Sequence, residues 1–128
     1  MNEILAKQLA IDFCTDVNSI LSKENVFTEY KQLEGRRIFK EGECYFKAAS
    51  VNGKIVASGR KDIIQWAREK FKTENGAWFM DMGCLHKVEE GLLRFQCRIG
   101  QAHPFYIATE KSDVDTKDYD IKIFIGDE

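Results

Sequence analysis

Apolar residues at the start of the chain recur at helical intervals. Ile4, Leu5, Leu9, Phe13, Val17, Ile20 and Leu21 fall on one stripe, and Glu3, Lys7, Asp12, Asp16 and Lys23 take the opposite side. That spacing predicts one amphipathic helix of about five turns. A shorter stripe of Val26, Phe27, Tyr30 and Leu33 predicts a second helix over residues 24–35, with Gly35 as its stop. The period then changes. Glu43 to Val51 and Lys54 to Ser58 read as strands, and Asn52-Gly53 between them is a strong hairpin signal, because both central residues of a type I′ turn need positive φ. From Lys61 to Thr73, Ile63, Ile64, Ala67 and Phe71 return to helical spacing, with Asp62 in the first turn, where a carboxylate suits the helix dipole.

Past Asn75-Gly76 the pattern reads as strands. Trp78, Met80, Met82, Cys84, His86 and Val88 alternate with Phe79, Asp81, Gly83, Leu85 and Lys87, which predicts one long strand. Glu89-Glu90-Gly91 reads as a turn, and Leu93, Phe95, Cys97 and Ile99 form the apolar face of the next strand. A loop of two or four residues puts Val88 opposite Leu93 and keeps both apolar faces together. Two further strands are expected over residues 103–109 and 119–125, joined by a polar loop. Helices grouped apart from an antiparallel sheet give an α+β fold. At 128 residues the chain reads as one domain, 1–128.

This order of elements, with Ser58-Gly59-Arg60-Lys61-Asp62-Ile63-Ile64 opening a helix that carries Phe71, resembles the nuclear-transport-factor-two-like superfamily and its polyketide-cyclase-like (SnoaL-like) members. The resemblance implies a cystatin-like cone: N-terminal helices packed on the concave face of a strongly curved antiparallel sheet, with a pocket at the open end. It reaches the superfamily and no enzyme family within it. The closing segment Tyr119-Asp120-Ile121-Lys122-Ile123 lacks the Gly-x-Trp-x-Ile pattern of many members.

Composition narrows the function. A hydrophobic content of 44% excludes a disordered chain, and 31% charged residues exclude a membrane protein. Residues 1–64 carry 10 Lys and Arg against 9 Asp and Glu, and residues 65–128 carry 9 against 12. Phosphate backbones need a concentrated basic face. Arg36-Arg37 with Lys40, and Arg60-Lys61, are diluted by Glu34, Glu41, Glu43 and Asp62, so they read as solvated surface and no nucleic-acid partner is expected. Glu3, Lys7, Asp12 and Asp16 interrupt any secretory leader, and the chain reads as cytoplasmic, with Cys14, Cys44, Cys84 and Cys97 as reduced thiols.

The candidate chemistry follows from the strand reading. Trp78, Met80, Met82, His86 and Phe95 share one sheet face, and with Tyr30 they are the expected lining of an apolar ligand pocket. The enzymes of the resembled superfamily use Asp, His and Tyr side chains within the cone, which makes His86, His103 and Tyr30 the catalytic candidates. Cys84, His86, Cys97 and His103 match no metal-site spacing, and Ser112-Asp113-Val114-Asp115 lacks the glycine and glutamate of a calcium loop. No metal and no cofactor are expected. Two functions follow. One is a small-molecule-binding cone domain, extending to acid–base lyase, isomerase or hydrolase chemistry of SnoaL-like type on a small apolar ligand. The other is a non-catalytic protein-interaction module acting through the outer sheet face. On that convex face Phe79, Leu85, Leu92 and Phe124 stand among Asp81, Arg94, Gln96, Arg98 and Lys122, which predicts a homodimer.

Overall fold

The computed structural model describes residues 1–37, 45–100 and 102. The expected strands at 103–109 and 119–125, and with them Cys44, His103, Lys122 and Phe124, lie outside the described residues. The rest is a mixed α+β fold. Helices α1 (Glu3–Asp12) and α2 (Val17–Leu21) precede strand β1 (Val26–Glu29). The hairpin β2 (Phe46–Val51) and β3 (Lys54–Gly59) follows, then α3 (Lys61–Phe71), a short 3-10 helix (Gly76–Trp78) and α4 (Met82–Leu93).

The single long N-terminal helix is two helices. Cys14 adopts φ 52°, its N–H donates to Ile11 O, and the Thr15 N–H reaches back to Ala10 O, which together close a Schellman cap. Asp16 then starts α2, its carboxylate accepting from both the N–H and the hydroxyl of Ser19. The apolar stripe runs on through this break because both helices pack into one cluster, with Leu9, Ala10, Phe13 and Ile20 buried together. Periodicity alone does not register such a kink.

The second expected helix is replaced by β1. Val26-Phe27-Thr28 is a β-prone run, and it pairs in parallel with β3, Val26 opposite Val56 and Thr28 opposite Ser58. The hairpin forms where Asn-Gly predicts it: Asn52 and Gly53 take φ 51° and 75°, and β2 pairs antiparallel with β3 from Val51–Lys54 to Phe46–Gly59. The resulting three-stranded sheet has the order β1-β3-β2 and is mixed. Central β3 is buried along its whole length. Ile55 and Ala57 join Phe27 and the buried residues of α3 and α4, while Val56 joins α1 and α2 on the other face.

The long strand at 78–88, the turn at 89–91 and the strand at 93–99 are overturned by α4 and the coil after it. The same stretch also carries Cys84, Val88 and Leu92 at intervals of four, and packing follows that helical period: Val88 and Leu92 are buried on the α3 side of the sheet. Gly91 sits on this inner side because Trp66 lies against it. A Cβ added there would meet the indole at 1.8 Å. Asn25 ties the two halves together: its amide donates to the carbonyls of Phe71, Lys72 and Glu74 at the end of α3, and its oxygen accepts from Ile55 N–H on β3.

Candidate functional site

Among the described residues both faces of the sheet are packed, by α1 and α2 on one side and by α3 and α4 on the other. Three exposed large apolar residues, Trp78, Met80 and Met82, stand close together in the chain at the corner between α3 and α4. Asn75 begins this corner by accepting from Ala77 N–H, and the following N–H groups of Trp78 and Phe79 return to Asn75 O and Gly76 O. Ser50 of β2 donates to Gly76 O at 2.6 Å and anchors the turn on the hairpin. Phe79 is drawn into the core, edge-on to Phe71 at 5.6 Å. With Phe79 buried, its neighbours are turned outwards: Trp78 is 69% exposed, Met82 is 80% exposed, and Met80 lies between them in the chain.

Trp78, Glu74, Asn75, Asp81, Gly83, Cys84 and Lys87 line a groove of about 250 Å³ at this corner. Its electrostatics register on the Cys84 thiol. Burial pushes that thiol upward first, and the negative charges of Glu74 and Asp81 add to the shift against the opposing Lys87. The thiol is therefore held protonated at neutral pH, which disfavours a nucleophile, and the groove has a net acidic character. A second, more polar depression of about 320 Å³ lies along β1, between Ser19, Ser22, Asn25, Thr28, Arg68 and Lys72.

The residues expected to share one pocket are dispersed. Trp78, Met80, Met82 and His86 stand on the 3-10 helix, its exit and α4, not on a strand face. His86 points to solvent one turn beyond Met82, its Nε2 3.5 Å from Glu90 Oε1. Phe95 packs beside Trp66 at 6.0 Å, against the core. Tyr30 N–H donates to Gly59 O at the far end of β3, whereas Gly76 packs on Lys54 at its start. Five steps of about 3.3 Å along β3 separate those ends by some 16 Å. Tyr30 donates its hydroxyl to Gln32 Oε1 and lies under the Arg36 guanidinium. His103 lies outside the described residues.

The expected convex face is not one sheet face: Phe79 is drawn into the core at the end of the 3-10 helix, Leu92 is buried and Leu85 half-buried on α4, and Asp81, Arg94, Gln96 and Arg98 are exposed. Cys14, Cys84 and Cys97 are free thiols. Cys84 and Cys97 contact the same core cluster from α4 and from the coil after it. Among the described residues no group of three His, Cys, Asp or Glu side chains is placed to hold a metal, and no helix is long and apolar enough to cross a membrane.

Two residues that the sequence reading assigned to solvent are buried or half engaged. Arg36 is 8% exposed, and Arg37 reaches from the surface to pair with buried Asp12. The only local signal for this was Asp12 on the polar side of α1, and nothing in the sequence connects it with a turn 24 residues later. No family model, curated protein or solved structure matches the chain.

Proposed function

We propose that this chain is a non-catalytic protein-interaction module that docks an amphipathic, net-cationic segment of a partner at the Trp78–Met82 corner. The observation that carries the reading is the outward display of Trp78 and Met82 beside a groove whose charges are Glu74, Asp81 and Lys87. Aromatic and methionine side chains are the usual anchors of such contacts, and the acidic excess selects a partner with Lys or Arg flanking its apolar residues. The corner groove, about 250 Å³, falls below the roughly 300–1,000 Å³ of small-molecule sites, and the depression beside β1, about 320 Å³, stands at the bottom of that range. The dispersal of Tyr30, His86 and Phe95 weakens the acid–base reading of a SnoaL-like cone.

Selection of a displayed random-peptide library on the full chain tests this. Enriched peptides should pair a large apolar residue with nearby Lys or Arg. Their binding should fall at least tenfold on Trp78→Ala and weaken with added salt. Peptides that bind Trp78→Ala as well as the parent chain overturn it. One small apolar molecule per chain, retained in native mass spectrometry, would return the reading to a small-molecule-binding domain.

A further inference from the structure

A charged group is buried at the other end of the sheet from that corner. Residues 33–36 form a tight turn in which Arg36 N–H donates to Leu33 O at 3.3 Å and Gly35 takes φ 76°. Gln8 of α1 donates to Gly35 O at 3.0 Å and pins the turn in place. Arg36 is thereby carried inward. Its Nε–H donates to Asp12 O at 3.2 Å, and the guanidinium lies 4.3 Å from the centre of the Tyr30 ring. Nη1 and Nη2 are both buried, and neither has a hydrogen-bond partner among the described residues.

The guanidinium cannot shed its charge. The carboxylate of the same network, Asp12, is already engaged by the Arg37 side chain and backbone N–H and by Gln8. Lys47 adds a further positive charge acting on Asp12. Among the described residues the Asp12 carboxylate is thus committed to Arg37 and Gln8, and Arg36 reaches only the Asp12 backbone carbonyl. Stacking on Tyr30 offsets only part of what an unpaired buried ion costs. Four donor hydrogens on two terminal nitrogens are the fork that receives a carboxylate or phosphate in bidentate fashion.

We infer that Arg36, held flat by Tyr30, is the recognition residue of an oxyanion site, taking a carboxylate- or phosphate-bearing ligand on Nη1 and Nη2. Because both nitrogens are covered, binding opens the surface above them, and the apparent affinity is lowered by the fraction of open molecules. This site is independent of the Trp78 corner, and either reading can fail alone.

The test uses the full chain at constant ionic strength in sodium chloride, sodium phosphate or sodium acetate. Phosphate or acetate should raise Tm by several degrees over chloride, in a concentration-dependent way. Phosphate also raises Tm by general exclusion from protein surfaces, so Arg36→Lys is run beside the parent. The lysine keeps the charge and loses the fork, and at least a tenfold loss of apparent affinity is expected. In the parent chain the Arg36 Nε–Hε resonance should shift on titration with the same anion. An effect with phosphate alone marks a phosphate ligand, and one with acetate alone marks a carboxylate. Equal Tm in all three salts, a shift undiminished by Arg36→Lys, or an unmoved Arg36 resonance each overturns the site. The resonance decides even where the variant fails to fold.

Discussion

On one side of the sheet α1 and α2 bring mostly small and aliphatic residues, Ala6, Leu9, Ala10 and Ile20, with the ring of Phe13 at the end of α1, and buried polar groups of that half of the molecule are Asp12, Arg36 and Lys54. On the other side α3 and α4 bring rings: Phe71 stands edge-on to both Trp66 and Phe79, and Phe95 closes on Trp66. The same three strands serve both, so the difference comes from what covers them. Rings interlock by shape, and their cohesion is sensitive to volume and hardly to pH or salt. The α1 side is held at its rim by directed, charge-assisted bonds, which respond to protonation and to the loss of one partner. Lys54 shows the cost of that arrangement. It is 2% exposed, burial alone pulls its ammonium below the usual lysine range, and its Nζ donates to Ser19 O near the end of α2.

The largest expected effect lies on the ring side. Phe71→Ala removes the ring shared by two edge contacts and leaves a cavity in the core, a loss of about 3–5 kcal/mol. Urea unfolding should show the midpoint collapse equally at pH 5 and pH 8. A pH-dependent loss would break the contrast between the two faces.

Asp12→Asn on the other face should cost about 1.5–3 kcal/mol at neutral pH, the range for hydrogen bonds to a charged group. Burial by itself pushes the Asp12 carboxyl upward, but hydrogen bonds from Arg37 and Gln8 and the charge of Lys47 outweigh it and hold it below the usual range. Its folded value is thus lower than its unfolded one. The stabilisation is complete above the unfolded value, about pH 4, and is lost as pH falls through the folded one. The variant should converge on the parent as the pH drops below about 4. An unchanged gap at low pH would show that the carboxylate charge is not what holds this rim.

Gly91→Ala sharpens the volume side of the comparison. The methyl group meets Trp66 at 1.8 Å and forces the indole to shift. Overpacking of about 1–3 kcal/mol is offset by the roughly 1 kcal/mol that alanine gains over glycine in a helix. A net loss of about 0–2 kcal/mol is expected, with a change in Trp66 emission. Unchanged tryptophan fluorescence would contradict the close approach. The smallest effect is at the corner outside both cores. Trp78→Ala should stay within about 0.5 kcal/mol of the parent, and a larger loss would make Trp78 a structural residue instead of a displayed one.

The parts legible in the sequence were those fixed by neighbours. Asn52-Gly53 specifies its turn because few other pairs accept two positive φ values, and the stripe Ile63, Ile64, Ala67, Phe71 specifies α3 because no strand period fits it. The candidate site was legible only in part. Trp78 and Met82 were singled out as pocket residues of a strand that is not there; the structure displays both on the surface, at the 3-10 helix and the start of α4. Residues 78–95 satisfy the period of two from Trp78 to Val88 and the period of four from Cys84 to Leu92. Contact with the α3 side of the core favours the second. Val26-Phe27-Thr28 likewise became a strand only because β3 offered a partner edge.

What the sequence by itself determined was the hairpin, the helix after it, the mixed α+β class and the amphipathic character of the N-terminal segment. These rest on φ preferences and on side-chain periods, which act over a few residues. Tertiary structure alone decided that Asp12, Arg36 and Lys54 are buried, that Phe79 turns in while Trp78 turns out, and that Tyr30 and Trp78 lie at opposite ends of β3. The physical reason is that burial is a property of what packs on top. A charge 24 residues away and a ring on another helix leave no mark on the local pattern until the chain has closed over them.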